Sequence, residues 1–134
     1  MRFMLIVKSD QRSEAGVLPN DKELADMGKF NDEMVKGGVM LAGEGLQASS
    51  KGAKVKFKGG KPTVIDGPFT EAKELVAGFW LIQARSKDEA VAWARRAPFV
   101  DGEIEVRQVF ELEDFNQTDA LDLHKKHREQ LAKK

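Results

Sequence analysis

The chain has 134 residues, the size of one ordinary domain, with 22 basic and 22 acidic side chains and therefore no formal net charge. It has no cysteine, which excludes disulfides, thiolate nucleophiles and cysteine-ligated metal. Balanced charge gives no argument for nucleic acid or an anionic membrane, and no apolar run approaches the ~20 residues of a membrane span.

The opening "MRFMLIVKSD" is too short in its apolar part for a signal peptide and lacks a small-residue cleavage site, so a soluble, cytoplasmic protein is expected. Phe3 to Val7 is continuously apolar and predicts a strand covered on both faces. "SDQRSEAGVLP" reads as a polar loop. Asn20 with Glu23 three residues on forms a capping-box signature, and Leu24, Met27, Phe30 and Met34 give the helix its apolar side. Gly37-Gly38 ends it. Val39 to Ala42 predicts a short strand, followed by "GEGLQ". Residues 53 to 58 alternate, Gly59-Gly60 turns the chain, and Pro62 to Ile65 returns as a hairpin.

"GFWLIQA", residues 78 to 84, is a second strand apolar on both faces. Ser86 with Glu89 predicts another capping box, opening a helix that buries Ala90, Trp93, Ala94 and Ala97 and stops before Pro98. Glu103 to Phe110 alternates, with Ile104 and Val106 facing inward. Residues 111 to 134 form a charged tail, helical over about 119 to 132, which either packs on a partner subunit or lies loosely on the surface.

The order β-α-β-hairpin-β-α-β predicts an α+β, ferredoxin-like βαββαβ fold with an inserted β-hairpin, in which the first and third main strands are central. Two helices cover only one sheet face. The other, carrying Met4, Ile6, Phe79 and Leu81, is a large apolar patch, so a homodimer through the sheet faces is expected.

The sequence "DGPFTEAKE", residues 66 to 74, resembles the DGPF, or YCII-related, family of bacterial proteins. "MRFMLIVKSD", "GGVMLAGEGLQ", "LVAGFWLIQARSKDEAVAWARRAP" and "GEIEVRQV" are similar to the family's strands and second helix, so the resemblance covers residues 1 to 110 and leaves 111 to 134 outside. It implies a dimeric α+β barrel. In the wider group a histidine and an aspartate are proposed as an acid-base pair. Here the only histidines, His124 and His127, lie in the tail. The resemblance also hints at a regulatory setting beside alternative sigma factors.

The candidate chemistry is carboxylate chemistry. Asp66-Gly67-Pro68-Phe69 is either a tight turn or a rigid mount that aims Asp66 into a cleft as a general base. Glu44, between Gly43 and Gly45 at a strand end, is a second candidate catalytic acid or base. Phe69, Glu71, Lys73 and Glu74 are candidates to contact a small polar substrate, or are a solvated approach to the next strand. Lys51, Lys54, Lys56, Lys58 and Lys61 read as lysines that keep an edge hairpin from aggregating, and no aromatic ladder supports nucleic-acid stacking. His124 and His127 share a helix face but lack a third ligand, and no cofactor signature is present. Two functions stay open: a cofactor-independent enzyme (lyase, isomerase or hydrolase) on a small organic acid, and a non-catalytic ligand-binding or protein-interaction module.

Overall fold

The computed structural model describes residues 1–70 and 75–133. In chain order its elements are β1 (Arg2–Lys8), α1 (Gln11–Glu14), α2 (Asp21–Lys36), β2 (Met40–Gly45), β3 (Ala53–Lys58), β4 (Lys61–Asp66), β5 (Val76–Gln83), α3 (Lys87–Ala94), β6 (Ile104–Gln108) and α4 (Asp122–Ala132). The main sheet has the order β2-β5-β1-β6 with antiparallel pairing throughout. This is the ferredoxin-like arrangement, and the two strands apolar on both faces are indeed the central pair.

Alternation along β1 and β5 sorts the side chains. Phe3, Leu5, Trp80 and Ile82 point to one face and are buried with Phe30 and Met34 of α2 and Ala90 of α3. Trp80 meets Phe30 edge-on at 5.2 Å and donates its indole N–H to Asn31 Oδ1 at 2.8 Å, so its polar edge is satisfied at the rim of the core. Ile104 and Val106 pack on the same core, as their alternation predicts.

The helix start at Asn20 is a complete capping box, with Asn20 accepting from the Glu23 amide and Glu23 accepting from that of Asn20. The start of α3 differs from expectation. Ser86 caps the Glu89 amide, but Glu89 does not return the bond; its carboxylate accepts from Arg85 instead, at 3.0 Å. A flexible neighbouring guanidinium outcompetes a backbone amide for that carboxylate. Leu24, expected on the apolar side of α2, is exposed near the start of the helix, and the burial falls further along at Phe30 and Met34.

The loop expected after β1 contains a helical turn, α1, because Asp10 accepts from the Ser13 amide and nucleates it. The lysine hairpin, β3 with β4, is a separate two-stranded sheet and not an addition to the main sheet's edge. Its turn residues Gly59 and Gly60 both sit at positive φ, +57° and +80°, as a two-residue hairpin turn requires. Every residue of both strands is exposed. The α4 helix is likewise exposed at each of its residues. Among the described residues no helix is long and apolar enough to cross a membrane.

Candidate functional site

The second face of the main sheet has no helix packed on it from α2 or α3. The register builds it row by row. Glu44, Phe79, Ile6 and Glu105 stand side by side across the four strands, and Ala42, Leu81, Met4 and Arg107 form the next row. Met4, Ile6, Phe79 and Leu81 are half-buried by their cross-strand neighbours. The apolar centre is framed by charge.

The charged frame is uneven. Glu105 is held between Arg107, at 2.9 Å, and Lys8, at 3.4 Å. Hydrogen bonds from Arg107, and then from Lys8, lower its pKa below the ordinary glutamate value. Arg2, on the same face, grips Glu111 with Nε at 2.6 Å and Nη2 at 3.2 Å, and that hydrogen bonding lowers the Glu111 pKa as well. Glu44, at the opposite edge, makes no ion pair among the described residues and is exposed. Among the described residues it is the carboxylate of this face without a cationic partner.

Asp66 is the last residue of β4, opposite Ala53, and is exposed. It lies on the hairpin and Glu44 on the main sheet, both at the end of the molecule where β2 runs out into the hairpin. A surface depression of about 290 Å³ lies at the other end of the sheet, lined by Met1, Val39, Gln83, Ala84, Arg85 and Glu89, and holds neither carboxylate. Glu71, Lys73 and Glu74 lie outside the described residues.

The DGPF turn is fastened in a way that no local pattern reports. Ser49, in the loop between β2 and β3, donates its hydroxyl to Glu14 Oε2 at 2.5 Å and its amide to Glu14 Oε1 at 3.0 Å. The same hydroxyl oxygen accepts the Phe69 amide at 3.0 Å. Gly67 donates its amide to Gly52 and passes so close to the Ser49 carbonyl that a Cβ there would overlap it. The Gly67–Pro68 peptide is cis. Phe69 is half-buried, with Lys54 Nζ 4.2 Å above its ring. Thus Phe69 is engaged in anchoring, and Glu14 and Ser49 are site-supporting residues absent from the sequence reading. Their separation of 35 positions leaves no periodic trace; only the Asp10–Ser13 cap signature could have flagged α1, which carries Glu14.

His124 and His127 lie on α4 with ring centroids 6.2 Å apart. Among the described residues no group of three or more histidine, aspartate or glutamate side chains is arranged to hold a metal ion.

Comparison with known proteins agrees with this framework. An uncharacterised protein of Rhizobium meliloti (strain 1021) is 32% identical over 76 residues, which are 57% of this chain and 61% of that protein. The match therefore spans about three-fifths of that relative's length. The family model described as the YCII-related domain matches residues 1–113, through every strand of the main sheet and the hairpin, and the chain belongs to the YCII-related domain family.

Proposed function

We propose that the protein works as a homodimer with its uncovered sheet faces together, and that the Glu44 end of the inter-sheet space takes a small polar molecule. Glu44 and Asp66 are the groups that act on it, by acid-base chemistry that calls for no cofactor. The observation that carries this reading is the uneven frame of the face. Glu105 and Glu111 are committed to Arg107, Lys8 and Arg2, while Glu44, beside Phe79, makes no ion pair among the described residues. Proton transfer next to an apolar wall suits a lyase, isomerase or hydrolase step on a small organic acid.

The test is a thermal-shift screen with a library of small carboxylic and hydroxy acids, followed by turnover of any stabilising compound. Glu44→Gln and Asp66→Asn are expected to cut turnover by roughly 10²–10⁴-fold, the usual yield of a positioned acid or base. Full turnover in both variants would remove the carboxylates from the mechanism.

A second reading is a non-catalytic interaction module, in a cytoplasmic, sigma-factor-linked setting. It is favoured by the wholly exposed hairpin, with Phe57 73% exposed. Stable capture of a purified sigma factor, with no stabilisation by any acid in the screen, would select it.

A further inference from the structure

The β3–β4 ribbon has two unlike faces. Its register places Ala53, Val55 and Phe57 beside Asp66, Val64 and Pro62 on one side. Lys54, Lys56, Lys58 and Lys61 lie on the other, with Thr63 and Ile65. Val55, Phe57 and Val64 are all more than half exposed. A lone two-stranded ribbon is marginal in water, and one that displays an apolar stripe has something to cover it.

A complementary surface exists on the same chain. Residues 110 to 122 carry Glu111, Glu113, Asp114, Asp119 and Asp122 and no lysine or arginine. Phe110 and Phe115 pack together there, with centroids 5.0 Å apart, yet remain 66% and 45% exposed. Among the described residues the hairpin lysines make no ion pair, and neither do Glu113, Asp119 and Asp122.

Within one protomer the hairpin strands are exposed along their whole length, and Phe110 and Phe115 are exposed too. The hairpin leaves the sheet beyond Gly45, at the β2 edge and in the row of Val7. The acidic segment leaves beyond Gln108, at the β6 edge and in the row of Phe3. These corners are diagonally opposed, roughly 14 Å apart across three strand spacings and about 13 Å along the strands. A two-fold axis lying between two facing sheets, along the other diagonal, exchanges these corners. It also sets the strands of the two sheets nearly perpendicular, one of the two ways sheets pack.

From this placement we infer that each hairpin is an arm that docks on residues 110–122 of a second copy of this chain. Phe57, Val55 and Val64 cover Phe110 and Phe115, and the lysine side chains reach around the ribbon edge to Glu113, Asp119 and Asp122. The inference rests on the face-to-face homodimer proposed above and adds to it a specific reciprocal exchange.

Charge exchange tests it. One variant carries Lys56→Glu, Lys58→Glu and Lys61→Glu; a second carries Glu113→Lys, Asp119→Lys and Asp122→Lys. By sedimentation at low salt each alone is expected to weaken the homodimer by about tenfold or more, and an equimolar mixture to restore wild-type affinity as a heterodimer, because both arms then meet opposite charge. The chain's lack of cysteine allows a clean second readout. Phe57→Cys with Phe115→Cys is expected to give an oxidised covalent dimer, and Phe57→Cys alone to give none. A wild-type monomer would overturn the dimer itself. A wild-type dimer unaffected by either triple variant, or cross-linked by Phe57→Cys alone, would overturn the arm and leave the dimer standing. Wild-type binding to phosphatidylglycerol vesicles, lost in the lysine-reversed variant while its dimer is intact, would assign the ribbon to an anionic surface instead.

Discussion

Gly67 shows why the DGPF turn tolerates so little. Its alpha carbon lies against the Ser49 carbonyl, and Ser49 in turn is held by Glu14 and holds Phe69. Gly67→Ala must push the hairpin base off this support, at about 1–3 kcal/mol for an overpacked contact. If the hairpin alone is released, its open population rises by roughly fivefold to over a hundredfold. Trypsin cleavage at Lys54, Lys56 and Lys58 is expected to accelerate by that factor, with Ser49→Ala giving a smaller effect of the same sign. Unchanged cleavage would mean that the turn does not anchor the arm. Glu111 offers a residue-scale pH signature. Arg2 lowers its folded-state pKa, so the pair's contribution is complete above the unfolded glutamate value of about 4.3. It fades as pH falls through the lower folded value. The melting temperature of wild type should therefore exceed that of Glu111→Gln at pH 6, with the gap closing toward pH 3.

At the scale of elements, the two helices packed on the sheet, α2 and α3, open with the same sequence signature and are capped differently. Asn20→Ala should cost about 1 kcal/mol in urea unfolding, because the Glu23 amide loses its side-chain acceptor. Glu89→Gln should leave the midpoint unmoved, because Glu89 faces Arg85 and not the Ser86 amide. A loss at Glu89 equal to that at Asn20 would show that the reciprocal box forms in solution. The same contrast explains what was legible in the sequence. Strand order, hairpin and helix starts follow from local periodicity and punctuation, and Asn20, Gly59-Gly60 and the two apolar strands announced them. α1 was hidden because four residues are too few for a period, and the Ser86 box failed because an adjacent arginine is invisible to a spacing rule. Of the candidate site, Glu44 was legible as a carboxylate at a strand end. Its availability depends on how Lys8, Arg2 and Arg107 pair with other acids across strands distant in sequence, which no local pattern records.

At the scale of the whole molecule, one uncovered face governs the argument for assembly. Ile6 lies at its centre and touches none of the helix-side core by its alternation, so Ile6→Lys should leave the fold intact. The proposed dimer should be lost, with sedimentation giving a monomer and circular dichroism unchanged; a dimer that persists in this variant would place the interface elsewhere. The strand order carries a further consequence, for the chain as it is made. β1, made before the other strands of its sheet, pairs with β5 and β6, residues 76–83 and 104–108. Until those segments emerge from the ribosome, Phe3 to Val7 is an apolar strand with two unpaired edges. Closure of this sheet therefore waits on nearly the full domain, and the long sequence separation of its pairs predicts slower folding than for a helical domain of the same size.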